Sequence, residues 1–314
     1  MSLLPHQPAH RLATRTEERR WLVTGLWAEE AVGIVGGEPK CCKSFLALDL
    51  AVAVAAGVPC LRRFPVARPG RVLLYAAEDA LHVVRQRLEG ICAAAGVDLA
   101  TLDVEVITAP TLRLDLDADR KSLDETVAKL CPRLLVLDPF VRLHRIDENA
   151  SGEVAPLLAF LRELQRRHGV AVALVHHAKK GGGRARAGQA LRGSSEFHAL
   201  GDSNLYLRRH GDDLSLTVEH RAAASVPAIP LVLAERGNAL ALAVADRVPA
   251  AEPPATSVDE RITKALVDAG KPVPLAELRT ACRVRNTTLR ERLSALTAAG
   301  QLVRAADGYR LAVG

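Results

Sequence analysis

Nine residues near the start of the chain, Gly36-Gly37-Glu38-Pro39-Lys40-Cys41-Cys42-Lys43-Ser44, have the types and spacing of a loop that holds phosphate. A short apolar run, Ala31 to Val35, precedes them, and an apolar segment without a breaker follows from Phe45 to Gly57. Strand, glycine-containing loop, Lys-Ser and helix is the context this chemistry requires. The first turn of a helix presents unpaired N–H groups and the positive end of its dipole to an anion. Lys43 is expected to reach the outer phosphates and Ser44 to hold Mg2+ through its hydroxyl. The expected nucleotide contacts are Gly37, Glu38, Pro39, Lys40, Cys41, Cys42, Lys43, Ser44 and Phe45. One departure stands out. The pattern asks for glycine before the lysine, and Cys42 brings a Cβ to the point of closest approach, so some loss of affinity is expected. The competing reading is an ordinary strand–turn–helix with a chance Lys-Ser, and the rest of the chain weakens it.

Further candidates sit where apolar strands end. Arg71 to Ala76 reads as a buried strand followed at once by Glu78 and Asp79. Glu78 is a candidate for polarising an attacking water, because ligands of open α/β sheets bind outside the strand ends. Asp79 reads instead as an acid in the first turn of the next helix, which carries Leu81, Val84, Leu88 and Ile91 on one face. Leu134 to Leu137 is a continuous apolar strand ending in Asp138, the pattern that points one carboxylate at a Mg2+ shell. Val170 to Val175 is another, ending in His176 and His177. The stretch from Ala178 to Ser195 then carries Lys179, Lys180, Arg184, Arg186 and Arg192 with three consecutive glycines and no acid. Either it grips a nucleic-acid backbone or it is a solvated loop without a partner.

Composition sets the outer bounds. The chain has 314 residues, of which 49% are hydrophobic but only 3% aromatic, so the core must be built mainly of Ala, Val and Leu. The net charge of +6 favours an anionic partner, with nucleic acid the first suspect. Six cysteines include no Cys-x-x-Cys pair and no zinc spacing, so reduced thiols in the cytoplasm are expected. The first twenty residues are polar and charged, unlike a signal peptide. The longest apolar run, Phe45 to Pro59, is broken by Asp49 and too short for a membrane span.

These elements predict an α/β fold with a mainly parallel central sheet. A flexible basic arm covers residues 1–20, with Trp21 to Trp27 as a docking segment, and the main domain covers 21–246. Strands at Ser203 to Arg209, Leu214 to His220, Ala228 to Leu233 and Leu240 to Val244 form an antiparallel edge, where His210 and His220 read as structural. A Pro- and Ala-rich linker, 247–257, leads to a compact segment, 258–314. Three helices and a hairpin with an Asp307-Gly308 turn make that segment a winged helix-turn-helix. Its third helix is expected to show Arg285, Thr288, Arg290 and Arg292 to solvent, suited to DNA, unless the segment docks a protein instead.

Taken in order, GGEPKCCKS, YAAED, LLVLDPFVRLHRIDENASG, VHHAKKG and LRGSS make residues 22 to 245 resemble the RecA-like ATPases of the RepA type, the hexameric replicative helicase family of broad-host-range plasmids. The resemblance implies a RecA-like P-loop fold, ATP and Mg2+ as ligands, and a homohexameric ring. It implies that Lys43 and Ser44 bind ATP and Mg2+, that Glu78 is the catalytic glutamate, and that Asp138 is the Walker B aspartate. It also implies that His176 and His177 sense the γ-phosphate and relay to a single-stranded-DNA loop, Lys179 to Gln189, facing a central channel. Arg192 matches an arginine that the family carries after that loop. The family's helicase passes an arginine to the neighbouring subunit's nucleotide. No arginine stands near Gly201-Asp202-Ser203, where it is expected, and Arg208 and Arg209 are possible substitutes. The C-terminal winged helix is not part of the family's core. Two functions follow as expectations: a DNA-stimulated ATPase, or a nucleotide-gated DNA-binding regulator with little hydrolysis. A third idea, oxidation of Cys41 or Cys42 as an off switch, competes with the plainer reading that both are small residues fitting the loop.

Overall fold

Val32 to Gly37 are all buried, and a strand buried on both faces belongs in the middle of a parallel sheet. In the computed structural model this strand, β3, lies between two parallel neighbours. The structure describes residues 6–12, 16, 20–177, 196–197, 201–221, 227–236, 239–246, 258–282, 284, 286–305 and 307–312. The chain divides into two compact units, Met1–Pro249 and Ala250–Gly314.

In the larger unit, β1 (Trp21–Val23) and β2 (Trp27–Ala28) pair antiparallel. Trp27 is fully buried beside Leu22 and Leu26, and its indole N–H donates to the Ala31 carbonyl at 3.3 Å. Then come β3 (Val32–Gly37), α1 (Lys43–Ala56), β4 (Val72–Ala76), α2 (Leu81–Ala95), β5 (Val104–Val106), α3 (Asp117–Leu130), β6 (Leu134–Asp138), α4 (Ser151–His168) and β7 (Ala171–His177). The last four strands are β8 (Ser203–His210), β9 (Asp213–His220), β10 (Ile229–Arg236) and β11 (Ala239–Val244). They assemble one nine-stranded sheet in the order β11-β10-β9-β8-β3-β7-β6-β4-β5.

The strands from β8 to β5 in that order run parallel, and β9 to β11 add an antiparallel edge. The sequence placed the Ser203 strand in the antiparallel meander alone, yet β8 also pairs parallel with β3. Residues 178–202 separate β7 from β8, well beyond the dozen or so that a parallel crossover needs. Gly33 permits this neighbour: a Cβ there would lie 1.7 Å from the Ser203 carbonyl oxygen. The pairing is reinforced by side chains, since Val32 N–H donates to Asp202 and Ile34 N–H donates to Asn204.

Two cores fill the faces of the sheet. One packs α1 and α2 against it, with Leu46, Leu50, Leu88 and Ile91. The other packs α4 with Phe140, Leu157, Leu161 and Phe197. Leu81, expected on the buried face of α2, is instead 52% exposed, because it is the first residue of the helix. Asp49, which interrupts the apolar run of α1, is buried and ion-paired with Arg62, whose guanidinium also donates to the Leu242 carbonyl.

The smaller unit contains α5 (Val258–Ala269), α6 (Leu275–Cys282), α7 (Asn286–Ala298) and the antiparallel pair β12 (Leu302–Ala305) and β13 (Gly308–Leu311). Ile262, Leu278, Leu289, Leu293 and Leu302 form its own core. No helix among the described residues is long and apolar enough to cross a membrane.

Candidate active site

The turn between β3 and α1 is set by its backbone. Gly37 has φ +156, Lys40 φ +65 and Cys42 φ +62. Cys42 is the N-cap of α1 in a left-handed conformation, and no side chain caps the helix there. The first N–H groups of α1 are therefore left for an anion. The pattern's glycine takes this conformation freely, whereas a cysteine held there is strained by about 1 kcal/mol.

Lys43 is only 6% exposed, and its Nζ donates to the Glu38 carbonyl at 2.8 Å, closing the loop on itself. Burial lowers its pKa, opposed by the neighbouring Cys41, Asp138 and Glu78. Parallel pairing sets Ala76 of β4 beside Asp138 of β6, so the ends of these strands reach the same level. Asp138 is buried and hydrogen-bonded to Ser44. Burial is the main reason its pKa is raised to about 6; Asp79 and Glu78 add to the rise, while Ser44 and Lys43 oppose it.

Glu78 lies just past β4, half exposed, and accepts a hydrogen bond from Arg142 Nε at 3.1 Å. Asp79 is not a first-turn acid. Helix α2 starts only at Leu81, and Asp79 instead pairs with Arg87, about two turns into the helix. The Arg87 guanidinium in turn lies 5.2 Å from the centre of the Phe45 ring. His176 and His177 register beside Gly36 and Gly37. Alternation then separates them: His177 lines the cleft, while His176 is 1% exposed and stacks on Phe197 with ring centres 4.4 Å apart.

Lys40, Cys41, Cys42, Lys43, Ser44, Phe45, Glu78, Asp79, Arg87, Asp138, Val175 and His177 surround one cleft of about 300 Å³. Gly37, Glu38 and Pro39 belong to the same turn but not to the cleft wall. Among the described residues no cluster of three or more His, Cys, Asp or Glu side chains forms a metal cage. Mg2+ needs none, since it keeps several waters and takes its remaining oxygens from one or two protein groups and phosphate. The Ser44 hydroxyl against the Asp138 carboxylate fits that donor set.

The thiols give the oxidation idea little support. Cys41 is buried, and burial pushes its pKa up, away from the thiolate that reacts.

Three arginines at this site were not assigned to it from sequence. Arg87 and Arg142 reach it only through the fold; Arg142 lies within the LLVLDPFVRLHRIDENASG stretch, but the resemblance gives it no role there. Arg209 was weighed only as a group for a neighbouring subunit, yet its Nη2 lies 3.6 Å from Sγ of Cys42 in the same chain. At Gly201-Asp202-Ser203 the side chain that matters is Asp202, which pairs with Arg162 and Arg221. Lys179, Lys180, Arg184, Arg186, Arg192 and Arg285 lie outside the described residues. In the smaller unit Arg290 is exposed and Thr288 half-buried. Arg292 is exposed as expected, and it also forms an ion pair with Asp259 of α5 within the unit.

A protein family described as an AAA domain matches residues 2–183. Among solved structures, the RadB recombinase superposes with a TM-score of 0.51 at 17% identity, covering 69% of this chain and 92% of its own. A KaiC-like protein from the hyperthermophilic archaeon Pyrococcus horikoshii OT3 has a TM-score of 0.48 at 14% identity, covering 70% of this chain and 93% of its own. The large, mostly parallel sheet with its antiparallel edge is that of RecA-like P-loop proteins.

Proposed function

The chain belongs to the AAA domain family, and from that premise we propose that it binds and hydrolyses ATP and acts on DNA as an oligomeric ring of the RepA type. The observation that carries this reading is the convergence of Lys43, Ser44, Glu78 and Asp138 on one cleft at the carboxyl ends of β3, β4 and β6. In the proposed reaction Lys43 exchanges the Glu38 carbonyl for the outer phosphates, a stronger charge-assisted contact. Ser44 and Asp138 hold Mg2+, whose chemistry here is to neutralise phosphate charge. Glu78 orients the attacking water once its carboxylate is turned from Arg142. His177, on the cleft wall, meets the terminal phosphate, and His176 passes the change to Phe197 and so to the end of the basic loop. Lys179, Lys180, Arg184, Arg186 and Arg192 then grip single-stranded DNA, while Thr288, Arg290 and Arg285 of a winged helix meet duplex.

Steady-state ATP hydrolysis with and without single-stranded DNA, beside Glu78→Gln, tests this. Stimulation by DNA and a loss of about a hundredfold or more in the variant are expected. Background turnover in both proteins, with ATP still bound, would favour a nucleotide-gated DNA-binding regulator. The Arg142–Glu78 pair supports that second reading, since it withholds the carboxylate.

A further inference from the structure

Among the described residues, Arg209 at the edge of the phosphate loop has no acidic partner. Arg87, Arg142 and Arg162 all pair with carboxylates. The partner of Arg209 among the described residues is a sulfur, Sγ of Cys42. A thiol is a weak acceptor, and a guanidinium carries five donors, so most of its hydrogen-bonding capacity is unspent.

Its position follows from the sheet. Parallel pairing sets Leu207 beside Gly37. The approach is close: a Cβ on Gly37 would lie 2.5 Å from the Leu207 carbonyl oxygen. Two residues further along β8, strand alternation returns Arg209 to the face of Leu205 and Leu207, which pack in the core shared with α1. Tyr206 packs in the core on the opposite side of the sheet. Arg209 therefore meets the amino end of α1 at Cys42. A glycine at this position would offer no side chain to hold it, so the departure from the loop pattern and the placement of Arg209 are one feature. The charge of Arg209 also reaches the neighbouring Cys41.

We propose that Arg209 is a phosphate ligand within its own subunit: held in place by Cys42, it forks onto the phosphate chain of a nucleoside triphosphate lying in the cleft beside Lys43. A guanidinium matches phosphate oxygens two at a time and gives up a thiol for them readily. The inference rests on the nucleotide reading and adds an in-chain arginine to it.

The test is titration of the full-length protein with a fluorescent ATP analogue and Mg2+. Arg209→Ala is expected to bind about tenfold more weakly than wild type, the worth of one charge-assisted contact. Arg209→Lys is expected to recover part of the loss, which a collapsed fold would not allow. Mixing Arg209→Ala with Lys43→Ala, whose own loop is disabled but whose Arg209 is intact, is expected to leave the weak affinity unchanged. Wild-type affinity in Arg209→Ala alone, or its recovery in the mixture, overturns the inference, the second by showing that the arginine comes from a neighbour. Wild-type protein that binds no analogue overturns the nucleotide reading and the inference together. Binding by wild type with no change in Arg209→Ala overturns the inference alone.

Discussion

Asp138 is a carboxylate that the ligand-free fold would rather keep protonated. Its pKa is raised from 3.8 to about 6, chiefly by burial. The folded protein thus holds this proton more tightly than the unfolded chain. The resulting contribution to stability is fully present below about pH 4 and is lost as pH rises through about 6. Holding Mg2+ needs the other form. Mg2+-dependent nucleotide affinity is therefore expected to fall about fourfold between pH 7.5 and 5.5, read by the same fluorescence titration at each pH. Asp138→Asn should remove that pH step along with the Mg2+ dependence, and should raise the melting temperature of the nucleotide-free protein at pH 7.5. A lower melting temperature would mean that the Ser44 contact outweighs the burial of charge. On the alkaline side, burial of Lys43 brings its loss of charge below the usual lysine range. Cys42 shows a related trade at the same loop: a strained backbone in exchange for a side chain that meets Arg209.

At the scale of elements, the loop works because β3 is a strand of small residues with a neighbour pressed against it on each side. Gly33 and Gly37 both sit where a Cβ would strike the backbone of β8. Gly33→Ala must push β8 away and is expected to cost about 3 kcal/mol, at the upper end for overpacking. A lower urea midpoint at an unchanged slope would show it, and an unaltered midpoint would refute the close approach. Because β8 carries Arg209 and pairs with β3, which leads into the phosphate loop, a displaced β8 should also lower nucleotide affinity in the same variant.

At the scale of the molecule, the two units have separate cores, and their stabilities should be separable. Leu289 is fully buried in the smaller one. Leu289→Ala is expected to cost that unit about 3 kcal/mol. In calorimetry of the full-length protein the change should move one transition and leave the nucleotide-stabilised one in place. A single transition shifted as a whole would show that the units unfold together. The two-unit division is also what makes the DNA question testable by position: lysine and arginine changes in 178–195 and at Arg290 of α7 address different nucleic-acid forms.

Much of this was legible in the amino-acid sequence. The apolar runs ending in Gly37, Ala76, Asp138 and His177 announced buried parallel strands, because only strands covered on both faces are apolar throughout. Lys43 and Ser44 could be picked out by the loop pattern after such a run, and Glu78 and Asp138 because they stand at or just past the end of one, where open α/β sheets leave room for ligands. What the sequence could not show were the pairings between distant segments. Arg142 on Glu78, Arg87 on Asp79 and Phe45, and Arg292 on Asp259 have no local signature, since long side chains choose partners only after the elements have docked. The place of β8 beside β3, and with it Arg209 at Cys42, was decided by tertiary structure alone. Strand order depends on which neighbours can approach, and here Gly33 and Gly37 of β3 leave room for the backbone of β8.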